Sequence, residues 1–150
     1  RRRIRMRTEL WTGFWLLAVI WGLAFPAVAA GPELSEIRFE KGKDGSERVL
    51  FVLNGEYLPK TFPIEGKKPR LICDFFDVRP GGKVRNFTRT GGNLIKSIRV
   101  GIHLSPVLKT RVVLDLHPDK DYEISQAFFS DEKIYALILK CNKESTLLQR

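Results

Sequence analysis

The sequence predicts an all-β fold, a two-layer antiparallel β-sandwich, and two observations carry that prediction. After about residue 30 no stretch sustains an i, i+3, i+4 apolar pattern, and the chain alternates short apolar runs with turn residues instead. The second observation is an internal duplication. Ser35-Glu36-Ile37-Arg38-Phe39 is echoed 61 residues later by Lys96-Ser97-Ile98-Arg99-Val100, and Arg48-Val49-Leu50-Phe51-Val52-Leu53 is echoed 63 residues later by Arg111-Val112-Val113-Leu114-Asp115-Leu116. The element around Phe62 returns around Tyr122 after 60 residues. Two half-domains of about four strands each imply a pseudo-two-fold sandwich, because neither half closes a core alone and each must lend the other an apolar face.

The first element is not a strand. Arg1, Arg2, Arg3, Arg5 and Arg7 precede an apolar run from Trp11 to Ala24, and Pro26 then leads to Ala27-Val28-Ala29-Ala30. A positive start, an apolar middle and small residues at the end are the layout of a secretory signal helix over residues 1–30. Cleavage after Ala29 places Ala27 at −3, and cleavage after Ala30 places Val28 there. Met6 is the expected start of translation. The alternative is an uncleaved anchor, since Trp11 to Ala30 is long enough to span a bilayer. Either way the folded part is expected outside the cytoplasm, in the periplasm or cell envelope. No Cys lies near the cleavage region, so a lipoprotein anchor is not indicated.

The domain proper is expected over residues 31–141, with 142–150 as a frayed tail. Strands are expected near Leu34–Phe39, Arg48–Leu53, Thr61–Ile64, Arg70–Phe75, Leu94–Ile102, Arg111–Leu116, Tyr122–Ser125 and Ile134–Lys140. Gly42-Lys43-Asp44-Gly45, Asn54-Gly55, Gly66-Lys67-Lys68-Pro69, Pro80-Gly81-Gly82, Gly91-Gly92-Asn93 and Ser130-Asp131-Glu132 separate them. Gly and Asn there supply positive φ and Pro a fixed φ. Side chains two apart share a face of a strand, so Arg111, Val113 and Asp115 point one way and Val112, Leu114 and Leu116 the other. The adjacent pairs Phe75-Phe76 and Phe128-Phe129 each leave one ring outside the core by alternation, or else loops extend the core over both rings. About 120 residues bury enough surface for a core without compulsory disulfides.

Charge and motif content narrow the function. The chain has 26 basic and 17 acidic side chains, and residues 31–150 keep 21 against 16, a net of +5 scattered singly. That pattern argues against a nucleic-acid binder. No Gly-x-Ser-x-Gly elbow, phosphate-cradling loop or His-Glu-x-x-His occurs, so no catalytic residues are proposed. His103 and His117 sit at loop edges, and two Cys with two His at unrelated spacings do not propose a zinc site or other cofactor. Cys73 and Cys141 are the only cysteines, and an oxidising compartment permits one disulfide between them. Two free thiols in apolar strands are the equal alternative.

Read together, Ile37-Arg38, Arg48-Val49-Leu50-Phe51, the Phe62 element leading into Pro69-Arg70-Leu71-Ile72-Cys73-Asp74, Ile98-Arg99-Val100-Gly101 and Thr110-Arg111-Val112-Val113-Leu114-Asp115-Leu116 resemble the AMIN domain. This is the small all-β module at the N-terminus of periplasmic N-acetylmuramoyl-L-alanine amidases and of type IV pilus secretins, found also in stand-alone exported proteins. The resemblance covers roughly residues 34–140, with a basic, Gly-rich connection over Pro80–Gly92 as a departure. It implies a stand-alone targeting module that binds peptidoglycan, without an enzymatic partner and without nucleic acid; a membrane enters only if the N-terminal segment is retained. The alternative it implies is a protein-docking module for envelope proteins of division or pilus machinery. Arg70, Arg99, Arg111 and Asp115 are the candidate ligand-binding residues, because guanidinium groups bind the carboxylates of peptide stems bidentately. The competing reading pairs Arg111 with Asp115 and Arg70 with Asp74 as salt bridges on a solvated face. Convergence of the arginines on one open face favours wall binding, and dominance of exposed phenylalanines favours protein docking.

Overall fold

The computed structural model describes residues 26–142. It contains ten strands and, among the described residues, no helix: β1 (Glu33–Lys41), β2 (Glu47–Leu53), β3 (Lys60–Ile64), β4 (Arg70–Phe76), β5 (Arg79–Pro80), β6 (Phe87–Arg89), β7 (Ile95–His103), β8 (Lys109–Leu116), β9 (Tyr122–Phe129) and β10 (Ile134–Cys141). They form two five-stranded sheets, ordered β5-β1-β2-β10-β9 and β3-β4-β8-β7-β6. All pairs are antiparallel except β1 with β5. Of the signal helix expected over residues 1–30, residues 1–25 lie outside the described residues, as does most of the expected tail. Ala29 and Ala30 lie in an exposed, irregular segment before β1.

The duplication governs the topology, with a twist that the repeats alone do not reveal. β1-β2-β10-β9 in the first sheet corresponds to β7-β8-β4-β3 in the second, so each half-domain gives two strands to each sheet. Neither half therefore owns a sheet, and each core face is built from both. The correspondence extends to irregularities: β1 is bulged between Leu34 and Glu36, and β7 between Ile95 and Ser97, at equivalent places. Each bulge lets the side chains on either side of it keep the core face, Leu34 with Ile37 and Ile95 with Ile98.

Core side chains follow the two-residue period. Val49, Phe51 and Leu53 of β2 and their duplicated counterparts Val112, Leu114 and Leu116 of β8 join Leu71, Cys73 and Phe75 of β4 and Tyr135, Leu137 and Leu139 of β10 in one cluster. Phe51, Phe75 and Tyr135 make tilted and edge-on ring contacts at 5.3–6.3 Å. Phe75 is buried and Phe76 exposed, and Phe128 packs on the core while Phe129 does not, as alternation requires.

Two expectations change. Pro80–Gly92, read as a connection, carries β5 and β6, whose two and three residues are too short to register as apolar alternation. β9 runs on to Phe129 rather than ending at Ser125, because it pairs with β10 along its whole length. Of the two alternatives for the cysteines, the structure has free thiols, Cys73 buried and Cys141 exposed. Thr61 Oγ1 lies 3.8 Å from Cys73 Sγ and 3.1 Å from Tyr135 Oη. Cys141 is six residues further along β10 from Tyr135, roughly 20 Å at strand rise, well beyond disulfide reach.

Candidate functional site

The second sheet presents an outer face on which charge is organised in rows. On β8, Thr110, Val112, Leu114 and Leu116 are buried in the sandwich, so Lys109, Arg111, Val113 and Asp115 project from the opposite face. Register then assigns their neighbours. Arg111 lies opposite Asp74 of β4 and Gly101 of β7; Val113 opposite Ile72 and Arg99; Asp115 opposite Arg70 and Ser97. Phe87 of the edge strand β6 lies opposite Arg99. Arg70, Arg99, Arg111 and Asp115, predicted from sequence and contributed by three strands, are thus brought to one face.

The salt-bridge partners expected from sequence are exchanged. Arg111 and Asp115 are four apart on one strand, about 13 Å at strand rise and too far to touch. Arg111 instead donates from Nε to Asp74 Oδ1 at 2.7 Å and from Nη2 to Oδ2 at 2.8 Å. Arg99 donates from Nε and Nη2 to Asp115 Oδ2 and Oδ1, both at 2.7 Å. Ser97 Oγ also donates to Asp115 at 2.9 Å, and Lys109 Nζ to Asp74 at 3.3 Å. Arg70 stands opposite Asp115 without a hydrogen bond to it, and its Nε is buried with no partner among the described residues.

These pairs fix protonation as well as position. The Arg111 hydrogen bonds hold Asp74 below the usual carboxylate range, against the opposing effect of burial. Burial pushes Asp115 upward, but the hydrogen bonds from Arg99 and Ser97 outweigh it and its pKa is lowered too. The carboxylates raise the pKa of Arg99 and of Arg111 through the same bonds.

Both arginines pair side-on, using Nε and Nη2, which locks each guanidinium plane and leaves Nη1 with two N–H donors for a ligand. Between them the sheet is open. Gly101 has no side chain, and a Cβ placed there meets nothing within 4 Å. Arg99, Gly101, His103, Arg111 and Val113 line a shallow depression of about 280 Å³ at this point. The arrangement leaves each of two fixed guanidiniums a free donor for a carboxylate or hydroxyl acceptor on this face, with Val113 beside the notch. Asp115, named as a ligand-binding residue from sequence, is the group that orients Arg99. Asp74 and Gly101 were legible in the sequence as motif residues, but only the cross-strand register shows that Asp74 belongs to Arg111 and that Gly101 opens the notch.

Among the described residues no cluster of three or more His, Cys, Asp and Glu is placed to hold a metal. Compared with known protein families, residues 36–136 match the family described as AMIN domain. No curated protein matches the chain.

Proposed function

We propose, from the premise that this chain belongs to the AMIN domain family, whose match spans more than half of it, that it binds peptidoglycan through the outer face of its second sheet. The family is one of non-catalytic, envelope-associated targeting domains. The observation that carries the proposal is the convergence of Arg70, Arg99 and Arg111 on one open face, two of them held side-on with Nη1 unused around the Gly101 notch. A peptide stem offers carboxylates that such donors recognise bidentately or singly, and the glycan offers hydroxyl acceptors along a flat surface. Export directed by the N-terminal segment, whether cleaved after Ala29 or Ala30 or retained as an anchor, would place the domain where that polymer is.

The test is co-sedimentation of the protein with isolated cell-wall sacculi at low and high salt. Pelleting that falls with salt is expected, because the contacts are charge-assisted and solvent-facing. No pelleting at either salt overturns the reading. A second reading, docking to envelope proteins of division or pilus machinery, is favoured by one observation: the outer face of the first sheet carries Leu50 and Val52 of β2, Ala136 and Ile138 of β10 and the exposed ring of Phe129. Failure with sacculi moves the function to that face.

A further inference from the structure

We propose that one end of the sandwich, where the chain enters β1, seats on the surface of a phospholipid bilayer. Five of the eight exposed large apolar residues among those described gather there: Leu58, Phe76, Ile102, Leu104 and Val107, between 45% and 70% exposed. Register places them together. Phe76 and His103 both lie opposite Lys109, so Leu104 and Val107 form the hairpin tip just beyond. Lys60 lies opposite Asp74, which brings Leu58, two residues earlier, level with Phe76. The fold leaves these side chains exposed at the tip, and exposed apolar patches of this kind mark interaction surfaces.

The occupant is indicated by what attaches at this end. Asp77 N–H donates to Leu108 O at 2.8 Å, and Arg79 N–H to Pro32 O at 3.0 Å, so Pro32 sits three residues of backbone away from Phe76. The chain that precedes Pro32 contains the apolar run Trp11–Ala24, of bilayer-compatible composition. Residues 25–31 between them reach at most about 25 Å when extended. While that run is in a membrane, the tip is therefore the part of the domain held nearest to it. Lys60 is exposed at the same end, and Lys109 Nζ lies 5.6 Å above the Phe76 ring. Both have long apolar stems that allow the ring and tip to enter the interface while the ammonium stays at headgroup level. The contact rests on apolar area and leaves the arginine face of the second sheet free, so it stands or falls separately from wall binding.

The experiment uses the full chain carrying Cys141→Ser, reconstituted through its own N-terminal segment into phosphatidylethanolamine–phosphatidylglycerol vesicles. A nitrobenzoxadiazole probe is attached at Leu104→Cys, Val107→Cys or, at the opposite end of the sandwich, Lys43→Cys, all exposed positions at which the fold is retained. Vesicles doped with a phospholipid spin-labelled near its headgroup should quench the probes at 104 and 107 several-fold more than the probe at 43, and Leu58→Ser with Phe76→Ser, which leaves the tether in place, should abolish most of that difference. Equal quenching at all three positions overturns the proposal, and burial of the tip against another protein or a second copy gives that same equal result.

Discussion

Asp74 and Arg111 face each other across β4 and β8, and both side-on donors of the arginine meet the carboxylate although Asp74 lies on the outer face of its sheet. The Asp74 side chain is only 4% exposed, against 30% for Arg111. A buried carboxylate that loses its partner retains its desolvation penalty, and such losses run to about 3–5 kcal/mol. Arg111→Ala is expected to cost about 3 kcal/mol in urea unfolding, slightly relieved by Lys109. Arg99→Ala breaks a half-exposed pair, and such pairs contribute about 0.2–1 kcal/mol. Similar costs for the two variants would show that burial does not separate these bonds.

That asymmetry decides how the arginine face should be probed. Removing Arg70, Arg99 and Arg111 together tests binding and folding at once, because Arg111 neutralises a buried charge. Gly101→Asp is cleaner. A Cβ at Gly101 meets nothing within 4 Å, so the strand accepts it, while the new carboxylate stands opposite Arg111 and adds negative charge to the face that would receive a ligand's carboxylate. The expected outcome is an unchanged melting temperature, within about 2 °C, and at least a tenfold loss of sacculus retention. Undiminished retention would remove the notch from the binding surface.

Acid should destabilise the fold in a defined window. Asp74 and Asp115 both have lowered pKa values in the folded state. The stability they contribute is present above the unfolded carboxylate pKa of about 3.9 and disappears as pH falls through the folded values. Thermal unfolding should therefore be flat above about pH 5 and fall below about pH 4. In Arg111→Gln the Asp74 carboxyl loses the bonds that hold its folded value down, so the gap to the unfolded value narrows and the variant should lose less further stability to acid than the parent. An unchanged acid profile in that variant would mean the pair does not set the Asp74 titration.

A buried glutamate makes a further prediction about the fold. Glu47 accepts backbone hydrogen bonds from Asn93 and Leu94 at Oε1 and from Ile95 at Oε2, tying the start of β2 to the turn before β7. Gly92 must be glycine, because a Cβ there would collide with this carboxyl group and approach Ile95 O to 2.7 Å. Glu47→Ala leaves three donors to find other partners, and each buried unsatisfied group costs about 1–3 kcal/mol. A loss of at least about 3 kcal/mol is expected from chemical denaturation, and a loss below about 1 kcal/mol would show that water replaces the carboxyl group.

How legible all of this was in the sequence depends on the length scale of the signal. β2, β4, β8 and β10 announce themselves because each alternates or runs apolar over seven or eight residues, and the repeats of Arg48–Leu53 in Arg111–Leu116 expose the duplication. The arginines stand out because guanidiniums within the strand motifs can bind carboxylates bidentately, while the sequence leaves open whether they share a face. Partner assignment was not legible. Arg111 to Asp74 spans 37 residues and Arg99 to Asp115 spans 16, and only register across strands sets those distances. Glu47 was invisible for the same reason: a charged residue at a strand start reads as solvated until its three distant backbone donors are known.

The two cysteines provide the simplest check of the core. Cys73 points into the sandwich, and burial pushes its thiol pKa up to about 12 despite a hydrogen bond from Thr61. The thiolate is the reactive form, so at pH 8 Cys73 should be inert while the protein is folded. Cys141 is exposed at the end of β10 and should react at once. Titration with an aromatic disulfide reagent is expected to give one rapid equivalent in the native protein and a second only after denaturant is added. Cys141→Ser should lose the rapid equivalent and keep the second. A protein purified under oxidising conditions that shows no thiol even when unfolded would contain the Cys73–Cys141 bridge, which would require β4 and β10 to pack quite differently from the arrangement held by Thr61 and Tyr135.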